Sequence, residues 1–284
     1  MELVLEWKDV TYTYPDAKGA ALAGMTLRIP RGMKTAVLGH NGAGKSTLFL
    51  HAVGILKPQG GRVLCGGKAL DYGRKGLQEL RRAVGLVLQD PEQQLILNTP
   101  REDVAFGLRS AGMDEETIRQ CTESALERLG LQELADRPIH HLSLGQKKRT
   151  ALAGVFATRP EVILLDEPAS YLDPASEKLL LHSIGEIHRA GVTVVMATHD
   201  MNTAYSWADW IVVLDRGTCR MEGPPDQVFV NKELMEQLGL EIPLIVDLWE
   251  SLPAGLREGR AVPRNKEQFK TYLASHLVNG GGVI

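Results

Sequence analysis

No run of apolar residues in this chain is long enough to cross a membrane. The longest, such as Val162–Leu165 and Ile211–Leu214, are strand-sized, far short of the ~20 residues that span a bilayer. No signal peptide is expected in "MELVLEWKDV" either, since acids and a lysine lie among its apolar residues. Cysteine is scarce: Cys65, Cys121 and Cys219 are far apart and lack ligand-like spacing. That excludes a disulfide framework or a zinc site and fits a reducing cytosol. An excess of positive charge is also lacking, since the formal net charge is −3, and no nucleic-acid partner is expected. The expectation is a protein that is not itself embedded in a bilayer, which leaves it free to work beside one.

What is present is a set of short apolar runs. "TAVLG" (35–39), "VGLVLQ" (84–89), "VILLD" (162–166), "VTVVMAT" (192–198) and "IVVLD" (211–215) do not alternate with polar residues. Such runs read as strands covered on both faces, hence a mostly parallel α/β sheet. Helices are expected between them. Asp114 reads as an N-cap with Gly130 as the stop, and Asp173–Pro174 starts another helix that ends at Gly191. The first ~30 residues carry β-formers and turn residues and suggest a small antiparallel layer, with one more strand at 61–70. A helical insert is expected at about 90–158. Beyond residue 230 the pattern changes to a helical stretch ("QVFVNKELMEQLGL"), a polar loop ("LPAGLREGRAVPRN") and a last helix begun by Asn265. The tail, 231–284, is therefore read as a separate helical subdomain appended to a domain over 1–230.

The chemistry begins at "GHNGAGKST" (39–47), which fits G-x-x-x-x-G-K-[ST] between an expected strand and helix. Gly39, His40, Asn41, Gly42, Ala43 and Gly44 present backbone N–H groups that wrap phosphates. Lys45 faces the β- and γ-phosphates, Ser46 ligates Mg²⁺, and Thr47 follows on the helix. "VILLDEP" (162–168) adds two carboxylates at a strand end. Successive strand residues point to opposite sides, so Asp166 is assigned to Mg²⁺ and Glu167 to the attacking water as general base. Gln89 and His199 close two other strands; a glutamine there can touch Mg²⁺ or the lytic water, and a neutral imidazole can bond the γ-phosphate. Taken singly, each is equally a surface amide or a loop histidine, and Asp173 is equally a simple N-cap.

A second anion site is written into "HHLSLGQKKRT" (140–150). Ser143 and Gln146 have capping-box spacing. Gly145 sits in the first turn, where glycine costs about 1 kcal/mol against alanine; its small size is expected to let an anion approach the helix N-terminus.

Taken in order, these segments resemble the nucleotide-binding domain of ABC transporters over about residues 1–230. The matching motifs are the Walker A loop, the Q-loop Gln89, the signature "LSLGQ" (142–146), Walker B with Glu167, the D-loop around Asp173 and the switch His199. Tyr14 matches the aromatic that stacks on adenine, with Tyr12 as the alternative. The resemblance implies ATP and Mg²⁺ as ligands. It also implies head-to-tail pairing, in which Ser143, Gly145 and Gln146 serve the γ-phosphate of a partner's ATP; the chain needs a second copy or a paralogue. Two departures stand out: Leu144 replaces the glycine of LSGGQ, and "ASYLD" (169–173) puts Tyr171 where TAGLD has glycine.

Segments 70–95, 102–113 and 207–229 further resemble the ATPases of energy-coupling factor (ECF) importers, especially the cobalt-type subunit. That resemblance implies a short helix at Asp90–Leu95 lining a groove for membrane scaffold and substrate-binding subunits. It also implies a tail that assists dimerisation, and a place at the cytoplasmic face of the membrane. Nickel and vitamin importers remain alternatives for the cargo. A soluble ABC ATPase acting on ribosomes or DNA is the competing class, although such proteins usually fuse two cassettes or insert long coiled coils.

Overall fold

The structure is a computed structural model and describes residues 1–277. Strands β1 (Leu3–Tyr12) and β2 (Leu22–Pro30) lead into β3 (Lys34–Leu38) and helix α1 (Lys45–Ala52). Next come β4 (Gly60–Cys65), β5 (Lys68–Ala69), α2 (Arg74–Ala83) and β6 (Val84–Val87). The insert holds α3 (Pro100–Ser110), α4 (Glu115–Arg128) and α5 (Leu144–Ala157). After it run β7 (Val162–Asp166), α6 (Pro174–Arg189), β8 (Thr193–Thr198), α7 (Met201–Trp207), β9 (Trp210–Asp215) and β10 (Thr218–Gly223). The tail contains α8 (Pro225–Val228), α9 (Lys232–Gln237), α10 (Leu244–Glu250), α11 (Ala254–Arg257) and α12 (Lys266–Leu277).

The unalternating runs form one sheet, in the order β10-β9-β3-β8-β7-β6, parallel except for β10. Its strands bury residues on both faces because alternate side chains enter different cores. Val37, Leu164, Val195 and Val212 pack with Leu48 and Phe49 of α1 against the antiparallel layer β2-β1-β4-β5. Ile163, Leu165, Val194 and Met196 face the insert and α6. Ala36, Leu38, Ile211 and Val213 face α7 and the tail. Arg28 of β2 ties the two sheets together through Glu222 of β10, with its backbone N–H and Nε both donating to the carboxylate at 2.9 and 2.7 Å.

Helix ends follow local chemistry. The Asp114 side chain accepts from Thr117 N–H, and Gly130, at φ +64°, takes the left-handed turn after α4. Asp173 accepts from the N–H groups of Ala175 and Ser176, with Pro174 opening α6.

The tail departs from expectation. The single stretch expected around "QVFVNKELMEQLGL" is broken into α8 and α9, α10 was unforeseen, and α11 interrupts the expected polar loop. Nor does the tail keep a core of its own: Met235, Leu240 and Val246 are buried with Ala36, Leu38 and Tyr205 of the preceding domain. The boundary at residue 230 therefore does not separate two cores. Residues 278–284 of the expected subdomain lie outside the described residues.

Met235 is fully buried in this shared cluster, so Met235→Ala is expected to destabilise the chain by about 2–5 kcal/mol. Urea unfolding followed by tryptophan fluorescence checks it. An unchanged main transition would mean that the tail folds independently of the sheet.

Candidate active site

The loop after β3 is shaped by backbone that only glycine adopts easily. Gly44 has φ +106°, and a Cβ there would meet Ala21 O at 2.8 Å; at Gly39 it would meet Leu214 O at 2.5 Å. The loop curls around its own lysine. Lys45 is buried, and its Nζ donates to Gly39 O at 2.7 Å and His40 O at 3.2 Å. Asn41, Gly42, Gly44, Lys45, Ser46 and Thr47 line a cleft of about 900 Å³, ample for a nucleoside triphosphate. Gly39, His40 and Ala43 shape the loop from behind. The His40 side chain turns away, its Nε2 lying 2.7 Å from Leu238 O in the tail.

Opposite the loop, β6, β7 and β8 end at the same cleft and bring Gln89, Asp166, Glu167 and His199 together. Asp166 hydrogen-bonds Ser46, while burial pushes its carboxyl above the usual range. Burial without a full counter-charge makes this a place for a cation, and a hydroxyl beside a carboxylate is an oxygen set suited to Mg²⁺.

Glu167 is the hub. Lys45 Nζ lies 3.5 Å from Oε1. At Oε2, Ser170 Oγ donates at 3.1 Å and Gln89 Nε2 at 3.4 Å, while His199 Nδ1 lies 3.5 Å away. Strand alternation should have turned Glu167 away from Asp166, yet both line the cleft. The reason is local: Glu167 has φ +43°, in the left-handed region just past β7, and this re-aims its side chain. The two carboxylates share the cleft and differ in their partners. Ser170 went unnoticed in the sequence, since a serine within "ASYLD" carries no signal apart from its position.

Tyr14 lines the cleft, and its hydroxyl lies 3.3 Å from Thr47 Oγ1. Tyr12 instead packs edge-on against Tyr14 (5.0 Å between centroids) and against His51 (4.8 Å). His51 is wholly buried, and its Nδ1–H donates to Thr47 O at 2.7 Å. Aromatic and imidazole thus back the one exposed ring, a support that composition and spacing did not reveal.

The signature residues lie elsewhere. Ser143 and Gln146 form the expected capping box at the start of α5, but neither they nor Gly145 lines the cleft. A Cβ at Gly145 would meet Ser176 Cβ at 3.0 Å, so its smallness lets the first turn of α5 pack closely on α6. Asp173 is occupied as the cap of α6, where its Oδ2 also accepts from Ser176 Oγ at 2.6 Å. One copy thus brings the glycine-rich loop, Gln89, Asp166, Glu167 and His199 to one cleft and holds, apart from it, an exposed capped helix end.

The pattern that describes ABC transporters matches residues 22–170. The chain is 42% identical over 270 residues to the energy-coupling factor transporter ATP-binding protein EcfA of Carboxydothermus hydrogenoformans, covering 93% of this chain and 98% of that one. In structure it resembles cbiO1 from Clostridium perfringens, part of the ABC transporter complex cbiONQ. That match has a TM-score of 0.76 and 40% identity, covering 88% of this chain and 100% of that one. It also resembles a dimeric ATP-binding cassette in a post-hydrolysis state with ADP and phosphate, with a TM-score of 0.70 and 29% identity, covering 78% and 98%.

Burial holds the His51 imidazole below its ordinary range, against the opposing pull of the Thr47 carbonyl. Unfolding restores the usual value of 6.5, so the unfolded chain binds more protons in acid. This contribution to stability is complete above pH 6.5 and is lost as pH falls toward the lowered folded value. Urea unfolding between about pH 7.5 and about pH 5.5 should therefore show a smaller acid loss in His51→Leu than in the parent. Equal acid slopes in the two proteins would count against it.

Proposed function

The chain belongs to the ABC transporter family as an ATP-hydrolysing subunit of the energy-coupling factor type, and from that premise we propose that it powers cobalt uptake by closing and reopening a head-to-tail pair around ATP. The observation that carries the proposal is the split between the two regions. Walker A, Walker B, Gln89 and His199 share a cleft, whereas Ser143 stands outside it. A second copy would supply the missing helix end.

In this reading Lys45 and the N–H groups of the loop bind the phosphates, and Tyr14 carries the adenine. Ser46 and Asp166 would hold Mg²⁺, with Gln89 as a further contact, and the bound ion would supply neutralisation of the phosphates' charge. Glu167 takes the proton of the attacking water while Gln89 and His199 keep its carboxylate in place. The N-terminus of α5 in the partner adds its dipole, typically 0.3–1 kcal/mol in exposed settings.

The coupling surface is proposed at a groove of about 430 Å³ between α3, α5 and the segment after β6. Gln94, Ile55, Ile96 and Phe106 line it, and the last three are exposed. The helix expected at Asp90–Leu95 is a 3₁₀ turn at Pro91–Gln93, capped by Asp90, with Gln94 beside the groove. An apolar helix of a membrane scaffold subunit is the proposed occupant, which would hold the chain at the cytoplasmic face. No helix among the described residues is long and apolar enough to cross a membrane.

Cobalt as cargo is supported by the likeness of segments 70–95 and 207–229 to cobalt-type ATPases, and selectivity would reside in the membrane partner. Among the described residues no group of three or more His, Cys, Asp or Glu could hold a metal ion. Co-expression with the membrane subunits followed by metal uptake tests the cargo; uptake of nickel or a vitamin instead of cobalt would overturn that part.

Glu167→Gln is expected to bind ATP and lower kcat by at least about 100-fold, with a dimer accumulating in size-exclusion chromatography. Parental turnover would remove Glu167 as the base. Lys45→Ala and Ser143→Arg should each be nearly inactive alone. Mixed after subunit exchange, they should regain about a quarter of parental activity, because half the pairs are mixed and each has one intact site. No recovery on mixing, or full activity in both single variants, would contradict pairing in trans.

A further inference from the structure

Lys148 is a buried cation for which the roles above have no use. It lies in the second turn of α5, only 3% exposed. Its Nζ donates to Ser170 O at 2.9 Å and lies 3.5 Å from Glu167 O. These carbonyls bracket the turn that carries the candidate base. The turn is not relaxed: Glu167 has φ +43°, and Tyr171, next to Ser170, has φ +64°. Left-handed backbone at a residue with a side chain costs about 1–2 kcal/mol, so something outside the turn must hold it.

We propose that Lys148 is a positioning residue for Glu167, pinning the Glu167–Ser170 turn to the signature helix and thereby fixing where the carboxylate points. The inference rests on the reading of Glu167 as the base. Packing alone does not call for an ammonium here. Around the Lys148 stem are Leu152, Leu165, Pro168, Leu180 and Ile184, a setting that an apolar side chain of similar length would fill. Burial pushes the Lys148 ammonium down, opposed by the charges of Asp90 and Glu167. A buried charge in such a place is commonly no more stabilising than a well-packed apolar replacement. What it offers is an ammonium on the carbonyl end of a turn whose other ties are Glu167 N–H to Ala197 O and Ser170 N–H to Glu167 O, and so a direct link from that turn to α5.

The neighbouring lysine extends the connection. Lys147 Nζ pairs with Glu92 Oε1 at 2.6 Å, tying the same helix to the turn after Gln89. The start of α5 is thus anchored to two segments that carry Gln89 and Glu167. A shift of α5 on meeting a partner's phosphate would pull directly on the Glu167 turn.

The test uses the full chain with Lys148→Met, Lys148→Gln and, separately, Glu167→Gln. Lys148→Met is expected to lower kcat about ten-fold or more, to leave KM for ATP within about two-fold, and not to lower the thermal midpoint. Lys148→Gln keeps an amide NH2 as donor and should lose only about three-fold in kcat at unchanged KM; it decides the matter alone if the methionine variant does not fold. Parental kcat in either folded variant, or a kcat loss matched by KM or by thermal midpoint, would overturn the proposal. If Glu167→Gln is inactive while Lys148→Met is parental, only the brace fails. If Glu167→Gln is itself active, the reading of the base fails.

Discussion

The cleft depends on how one buried ammonium is held. Lys45 is out of water before any phosphate arrives, kept there by the carbonyls of Gly39 and His40 and by Glu167. The glycines of the loop exist to let those carbonyls turn inward without a Cβ striking Leu214 O or Ala21 O. Because the desolvation cost of the charge is already met in the folded chain, a triphosphate bound there as proposed would replace weak acceptors with strong ones and gain from the dry surroundings. The same arrangement stations Glu167 beside the cation. Its carboxylate is therefore within reach of Ser170, Gln89 and His199 as well.

The signature end of the chain is built with equal rigidity but for a different purpose. The capping box of Ser143 and Gln146 fixes the first turn of α5. Gly145 lets that turn approach Ser176 closely, and Ser176 in turn bonds the Asp173 cap of α6. The exposed helix end and the segment around Asp173 are therefore packed as one body. Tyr171 projects from this body, 87% exposed on left-handed backbone. The commoner glycine at this point of the motif would adopt that φ without strain, which explains in physical terms why Tyr171 is a departure. Leu144 is likewise exposed at the helix start, so neither departure disturbs a buried contact.

Much of this was legible in the residues. Five apolar runs gave five parallel strands because a strand covered on both faces leaves no polar alternation. The caps Asp114, Asp173 and Ser143 were readable because capping is decided within three or four residues. Features set by contacts across the chain were not legible. The direction of Glu167 depended on its left-handed φ, and the support of Tyr14 by Tyr12 and His51 joins residues from separate elements. Ser170 and Lys148 were hidden for the same reason. A serine and a lysine in polar segments look like surface residues until the fold closes over them.

The tail shows best where composition misleads. A change of pattern near residue 230 reads as a domain boundary, yet three kinds of contact cross it. Met235, Leu240 and Val246 cover Ala36, Leu38, Ile211 and Val213, the face of β3 and β9 that α7 leaves open. The His40 ring, from within the phosphate loop, meets Leu238 O, and Leu244 N–H donates to Asn202 Oδ1 of α7 at 2.8 Å. Arg264 stacks over Tyr205 of the same helix at 4.9 Å and donates to Ala208 O. Cutting the chain at 230 would expose apolar surface on two central strands and free a loop residue whose backbone carbonyl holds Lys45. The tail is thus a structural wall of the nucleotide-binding half, and whatever it contributes to pairing is built on that attachment.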